Sequence, residues 1–311
     1  MTTTSAALRR TTTWNRPLMV LVAGMAVLTL ITAVGTFADS RVLTGAPIWL
    51  KPFKFSVSIA LYAFTLAWML SLLPRRNRLV ERAATVIVGL FVIEMVVIVA
   101  QVIRGQTSHF NATTPLNSAL FDLMGLAIML VFVAQLVIAI AVLRQRIPDR
   151  VAAMGVRLGL GVSLLGMLAA LPMVVPGAAS PIEGISGAHS VGVPDGGPGL
   201  PVVGWSTAGG DYRVGHFIGL HALQALPILA LVLIRFAGRL SERTKVRLLL
   251  VAGLGYAALT VLLSWQAMRG QPLIHPDAVT LTAAAVLALT VSAAGLLVVR
   301  RGRRDDMELA A

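Results

Sequence analysis

Cysteine is absent from the 311 residues of the chain, and charged residues are scarce, at 13%. The first absence excludes disulfide bonds, thiolate metal sites and a cysteine nucleophile. The second sets the chain apart from soluble domains, in which about a quarter of the residues are charged. Because apolar residues make up 57% of the sequence, a soluble fold could not hide them all, and the composition predicts that lipid covers much of the surface.

Several catalytic signatures are also missing. The sequence has no glycine-rich phosphate loop, no His-Glu-x-x-His zinc motif and no Gly-x-Ser-x-Gly nucleophile elbow. The longest loop between apolar segments, 174–213, has only forty residues, too few for a soluble catalytic domain. The sequence therefore leaves open whether the protein is an enzyme.

Long apolar runs dominate what is present. Eight runs have about the twenty residues that cross a bilayer as a helix. The first is longer than the core of a typical signal peptide, so we expect it to be retained. The sequence thus predicts an all-α integral membrane protein whose eight transmembrane helices lie near 17–37, 47–72, 83–103, 119–143, 151–173, 214–236, 248–268 and 278–299.

The basic residues predict the orientation of these helices. Twenty of the 26 lysines and arginines fall in the N-terminal tail 1–16, at alternate loops, and in the C-terminal tail 300–311. By the positive-inside rule, that side faces the cytoplasm. The net charge of +13 then fits an anionic bilayer surface better than nucleic acid. We expect a multi-pass plasma-membrane protein, as in a bacterial cytoplasmic membrane, with both termini cytoplasmic.

A six-residue motif occurs twice in the sequence. Segment 101–106 reads Gln-Val-Ile-Arg-Gly-Gln at the end of the third span, and segment 266–271 reads Gln-Ala-Met-Arg-Gly-Gln at the end of the seventh. The offset of 165 residues between them also superposes the second span on the sixth. This pattern predicts two parallel-repeat four-helix halves, 17–143 and 151–299, the second carrying the outer loop 174–213.

Several polar residues that are not simply solvent-exposed loop residues lie on the predicted outer side. Lys51 and Lys54 share one face of the second span. Their position favours either snorkelling to lipid headgroups or a patch for an anionic ligand. Arg104 and Arg269 end the third and seventh spans, each before a glycine and a glutamine, which leaves open a helix cap or a ligand clamp.

All five histidines fall in the predicted outer loops or the outer parts of helices. His109 and His275 follow the two repeated motifs. His216 and His221 lie on the sixth span about 140° apart around the helix, and His221 is the deeper, with Gln224 on its face. Such histidines either make hydrogen bonds at a wet interface or bind a cofactor, and His221 and His275 are the candidate metal ligands.

Two carboxylates complete this set. Glu94 lies near the middle of the third span, where an ionised side chain is costly unless it is paired or protonated. It is interpreted either as a neutral packing residue or as a proton-linked one. Asp122 lies near the outer start of the fourth span and is the second proton-linked candidate. His189, in a loop rich in glycine and proline, is given no role.

Three classes of function remain open. The first is a membrane redox protein that binds haem or another cofactor; the second is a transporter of a small solute, such as an anion, with Glu94 as proton carrier; the third is a non-catalytic sensor or assembly factor. The architecture is similar to that of the haem A synthases, whose repeat motifs differ, so it implies no function. The first class leads, with the polar site formed by His109, His216, His221, His275, Lys51, Lys54, Arg104 and Arg269.

Overall fold

The computed structural model describes residues 14–75, 77–174 and 184–308 of the chain. Within these ranges, eight helices are long and apolar enough to cross a membrane. Most of the predicted N-terminal tail, part of the loop 174–213 and the last three residues of the predicted C-terminal tail lie outside the described residues.

The described residues form the following helices and strands. A short 3-10 helix, Leu171–Met173, follows the fifth long helix. Two small antiparallel ladders pair β1 (Val42–Leu43) with β2 (Ala46–Pro47) and β3 (Ser190–Val191) with β4 (Gly210–Asp211). The long helices are α1 (Arg16–Ala38), α2 (Leu50–Ser71), α3 (Arg78–Ile103), α4 (Pro115–Leu143), α5 (Arg150–Leu168), α6 (Tyr212–Phe236), α7 (Glu242–Met268) and α8 (Ala278–Glu308).

Short polar side chains determine where several helices begin. Thr114 and Ser241 each accept a hydrogen bond from a backbone N–H in the first turn of the helix that follows. The helix after Thr114 therefore begins at Pro115, four residues before the predicted start at 119. Hydropathy alone misses this turn because the capping residues are polar. Asn15, Asn77, Asp149 and Asp211 cap their helices in the same way.

The chain divides into two compact units. Unit 1 is Met1–Gln145 with Ala179–Ser186, and it contains α1 to α4. Unit 2 is Arg146–Ala178 with Gly187–Ala311, and it contains α5 to α8. In each unit the first two helices pack against each other, as do the last two.

In unit 1, helix α3 contacts each of the other three helices. Seven of its buried residues recur at alternating intervals of four and three, which places these seven on one face of the helix. We call this face the α3 stripe; it consists of Val80, Ala84, Ile87, Phe91, Glu94, Ile98 and Gln101. The stripe carries a carboxylate in an otherwise apolar middle section.

Unit 2 is built on a close crossing of α5 and α6. A Cβ atom added to Gly166 would lie 2.4 Å from the carbonyl carbon of Gly219. A Cβ atom on Gly155 would lie 2.7 Å from the Cβ of Ala230. Small residues that let two helix backbones approach are typical of helix pairs in membranes, where apolar burial against lipid gives no driving force for association.

Large apolar side chains cover the outside of the helices. Leu30 is 69% exposed, Phe236 77% and Leu289 71%. A soluble monomer rarely exposes extensive contiguous apolar surface. The described structure is therefore consistent with a helical membrane protein.

Two helix ends carry most of the polar residues under discussion. The lysine end of unit 1 is where α1 and α3 end and α2 and α4 begin. The histidine end of unit 2 is where α5 and α7 end and α6 and α8 begin.

Candidate functional site

Glu94 is the carboxylate of the α3 stripe, and the residue is only 2% exposed. It lies nine residues before Ile103, the last residue of α3, which is about 14 Å along the helix axis. Its Oε2 atom has no hydrogen-bond partner among the described residues. A buried polar atom without a partner is rare in folded proteins and calls for a functional or structural explanation.

A lysine at the start of α2 interacts with this carboxylate. Lys51 is the group whose charge acts on Glu94. The other charged groups on helices packed against α3 are placed differently. Arg16 is exposed at the start of α1, Lys54 lies one turn further along α2, and Asp122 is on the exposed side of α4. An ammonium group at the lysine end thus acts on a carboxylate that is buried about 14 Å from the end of α3.

One aromatic ring lies near this lysine and packs in turn against a histidine ring. The Lys51 Nζ atom lies 6.0 Å from the centroid of the Phe55 ring, within the range of a cation–π contact. The Phe55 ring lies 5.6 Å from the His109 ring, edge to face. Ser108 Oγ is 3.2 Å from His109 Nδ1. His109, predicted as a cofactor ligand, therefore lies half-buried among aromatic side chains.

A second polar contact crosses unit 1 further from the lysine end. The Tyr62 hydroxyl donates a hydrogen bond of 2.7 Å to Oε1 of Gln135, a fully buried side chain of α4. The Tyr62 ring also packs at 5.3 Å against Phe91, which is one turn before Glu94 on the α3 stripe. Polar groups are thus present in the interior of unit 1 on both sides of Phe91.

The repeated motif forms the same helix cap in each unit. In unit 1, the Gln106 N–H donates to the Gln101 carbonyl and the Gly105 N–H to the Val102 carbonyl. Gly105 has a φ of 69°. This pairing with a left-handed glycine is the Schellman motif, and it satisfies the last carbonyls of α3.

The corresponding segment of unit 2 repeats these bonds. The Gln271 N–H donates to the Gln266 carbonyl, and Gly270 has a φ of 71°. The buried glutamine side chain also has the same role in both units. Gln101 Nε2 donates to the Thr107 carbonyl at 3.1 Å, and Gln266 Nε2 donates to the Pro272 carbonyl at 2.8 Å, six residues on in each case.

Both arginines of the motif contact the helix that follows. Arg104 donates to the Asn117 side chain of α4 at 3.1 Å. Arg269 pairs with Asp277 at 2.6 Å and lies 4.6 Å from the Trp265 ring centroid. The hydrogen bond from Arg269 holds the pKa of Asp277 well below its usual range. Each arginine thus links the end of its own helix to the start of the next helix, α3 to α4 in unit 1 and α7 to α8 in unit 2.

The predicted histidine ligands of unit 2 have different surroundings. His216 Nδ1 donates to the Gly166 carbonyl at 2.8 Å, which leaves Nε2 as the nitrogen that presents a lone pair in the neutral ring. His221, predicted to be deep, is exposed on the side of α6, with Nδ1 3.3 Å from Gln224 Oε1. His275 is exposed before α8.

His189, for which the sequence predicts no role, is held by a carboxylate. Its Nδ1 lies 2.7 Å from Asp195 Oδ2, and Asp195 also accepts the backbone N–H groups of His189 and Ser190 at 3.0 and 2.8 Å. Burial acts to raise the pKa of Asp195, but the bonds from His189 and Ser190 outweigh it and lower this pKa well below the usual range.

Within residues 14–75, 77–174 and 184–308, no three histidine or acidic side chains come together as metal ligands. Two cavities of about 10 and 230 Å³ are lined, respectively, by residues around Gln266 and by residues around Arg144, with no histidine in either lining. Cofactor pockets are typically 300–1,000 Å³, so neither cavity fits a haem.

Comparison of the chain with models of protein families, with curated proteins and with solved structures gave no match.

Proposed function

We propose that the eight helices span a membrane, with both termini in the cytoplasm and with the lysine end and the histidine end on the outer side. The exposed apolar sides of the helices and the one-sided distribution of basic residues support this arrangement. The two units would then be parallel four-helix repeats. Their matching caps support duplication, as does the offset of 165 residues that separates the last residues of α2 and α6, of α3 and α7, and of α4 and α8.

We further propose that unit 1 moves a small anion across this membrane together with a proton bound by Glu94. The observation that carries the proposal is the unpaired Oε2 of a carboxylate that is 2% exposed in the middle of a helix. Ionisable side chains inside membrane helices are rare and mark ion and proton pathways. A carboxyl oxygen with no hydrogen-bond partner among the described residues is available to take up a proton.

The lysine end supplies the complementary charge. When Glu94 is ionised, its charge compensates the Lys51 ammonium; when Glu94 is protonated, that ammonium can instead compensate a bound anion. Exchange between these two states keeps the net charge of the site constant. An anion and a proton would therefore move as an electroneutral pair, which avoids the large cost of transferring a net charge through a low-dielectric interior.

Proton-coupled flux in proteoliposomes tests this function. The protein is reconstituted with a pH dye inside the vesicles and given an inward gradient of methanesulfonate, benzenesulfonate or nitrate, anions that remain ionised at neutral pH. The wild type is expected to acidify the lumen with at least one of them. Glu94→Gln, which is permanently neutral, is expected to abolish acidification but to retain one-for-one anion exchange, because exchange requires no net proton movement.

Asp122→Asn is the matched control, since Asp122 is an acidic residue on the exposed side of α4, and it should acidify the lumen like the wild type. Acidification by Glu94→Gln at the wild-type rate would contradict the role of Glu94. Failure of inserted wild-type protein to move protons with any of the three anions would overturn the transporter proposal.

One observation favours cofactor binding as a second candidate. His189 and His216 each have Nδ1 bonded to an oxygen, Asp195 in one case and the Gly166 carbonyl in the other. Histidine ligands of metals commonly donate their other ring nitrogen in this way. A Soret band and bound iron in protein purified from haem-producing cells would support this candidate over the transporter, whereas colourless, iron-free protein would exclude haem.

A further inference from the structure

Four rings at the lysine end of unit 1 form a continuous aromatic cluster. Phe55 of α2 contacts His109, and His109 lies 6.1 Å from Phe110 and 6.4 Å from Phe121. Phe110 and Phe121 pack edge to face at 5.4 Å. We call Phe55, His109, Phe110 and Phe121 the aromatic cluster. It joins the first turns of α2 and α4 to the loop after α3.

The cluster differs from an ordinary packing core. Only Phe110 is buried, at 5% exposure, whereas Phe55, His109 and Phe121 remain half-buried. Phe110 also has a φ of 57°, a left-handed conformation that is costly for a bulky side chain and that recurs at ligand sites. The backbone at this position is therefore held in an unfavourable conformation that keeps Phe110 in contact with the rings beside it.

The charged residues next to the aromatic cluster are two lysines and Asp122, which follows Phe121 and is on the exposed side of α4. Lys51 lies over the Phe55 ring, and Lys54 follows one turn later on α2. Both lysines lie in the first turns of α2, whose N-cap residue, Trp49, makes no side-chain capping bond, so the positive end of the helix dipole adds to their charge. The carboxylate of Asp39, at the same end of unit 1, is held by Arg41 and Trp49. Hydrogen bonds from these two residues keep its pKa well below the usual range.

We propose that this end of unit 1 binds an organic anion with an aromatic body. The acid group would lie against Lys51 and Lys54, and the ring would stack on the exposed faces of Phe55 and Phe121. This inference rests on the proposed function, in which Glu94 carries the accompanying proton, and it specifies the class of anion. Without the lysines, an aromatic cluster near a carboxylate would suit an organic cation; the positive charge at this end favours the anion.

Binding measured by calorimetry in detergent separates these ligand classes. The probes are benzenesulfonate, methanesulfonate and benzyltrimethylammonium, at neutral pH. Wild-type protein is expected to bind benzenesulfonate on the order of tenfold more tightly than methanesulfonate, because an aromatic pair adds to the ionic contact. Phe121→Leu should reduce that ratio to near one, and Lys51→Gln should weaken both sulfonates. Phe236→Leu, which alters an exposed phenylalanine of unit 2, should change neither.

Each outcome bears on the proposal. The wild-type ratio alone tests ring recognition, so the inference stays falsifiable even if a variant fails to fold. Equal affinity for the two sulfonates, or tighter binding of benzyltrimethylammonium, would overturn the proposed ligand class. If Glu94-dependent proton movement persisted in that case, the proposed function would stand without this substrate class. Tighter binding of benzenesulfonate than of methanesulfonate, without any proton movement in proteoliposomes, would support the binding site but contradict the proposed transport function.

Discussion

Glu94 illustrates which properties of a single residue a sequence can predict. A carboxylate in a long apolar run must be buried, paired or protonated, and the structure buries it with one oxygen unpaired. The sequence could not predict that Lys51, 43 positions earlier, acts on this carboxylate, because that interaction depends on how α2 packs beside α3. The depth of a residue along a membrane helix can be inferred from its position in the apolar run, whereas the residue with which it interacts on another helix cannot.

The histidines show the same limit. The prediction that His221 and Gln224 share a face of the sixth span is confirmed by their side-chain contact. That face is exposed, however, so the depth of His221 along α6 does not bury it. The rotation of a helix about its axis depends on its neighbours, here the close approach of α5 at Gly219. His189 was overlooked because its carboxylate partner is fixed by turn geometry rather than by a periodic pattern.

Asp195 gives a prediction at the scale of one residue. Its two oxygens accept different backbone N–H groups, Oδ2 from His189 and Oδ1 from Ser190, so Asp195→Asn loses one acceptor. Amide hydrogen exchange at His189 and Ser190 should therefore speed up in this variant at neutral pH. Glu242→Gln, at an exposed ion pair with Arg150, is the matched control and should leave both amides unchanged.

The pH dependence of these amides follows from the lowered pKa of Asp195. A carboxyl group whose pKa is depressed by folding stabilises the fold above its unfolded value, about 3.9, and this contribution is lost as the pH falls towards the folded pKa. Protection at His189 and Ser190 should thus hold down to about pH 4 and decline only below it. Loss of protection already between pH 7 and 5 would contradict the assigned role of Asp195.

At the scale of elements, local signals predicted the helix ends better than the helix contacts. The glycine of each repeated motif predicted a cap, and both glycines have the left-handed φ that such a cap requires. The crossing of α5 and α6 was not predicted. Gly166 and Gly219 are 53 positions apart, and no local pattern specifies which helices meet. Apolar runs show that a helix exists but carry little information about its partner.

A pair of glycine substitutions on α5 tests that crossing. Gly166→Ala would place a Cβ 2.4 Å from the Gly219 backbone, whereas Gly161→Ala has no atom within 4 Å of its added Cβ. We expect Gly166→Ala to destabilise the protein by about 1–3 kcal/mol and Gly161→Ala to be neutral or slightly stabilising. The measurement is unfolding by SDS followed by circular dichroism. Equal stability of the two variants would contradict the close helix contact.

At the scale of the whole molecule, composition was the most informative property. Eight apolar runs predicted eight long helices, and the described part of the chain contains eight that are long and apolar enough to cross a membrane. Orientation depends instead on the distribution of arginine and lysine between alternate loops, and it remains a prediction. The access of an anion to Lys51 and of protons to Glu94 from outside depends on this orientation.

The most direct test of that central claim is cysteine labelling in intact cells, since the chain contains no cysteine. Val42→Cys and Ile274→Cys lie at exposed positions of the lysine end and the histidine end; Ser71→Cys and Gly238→Cys are exposed at the opposite ends. An impermeant maleimide should label the first pair before lysis and the second pair only after lysis. Labelling of Ser71→Cys and Gly238→Cys in intact cells, with Val42→Cys and Ile274→Cys protected, would contradict the account.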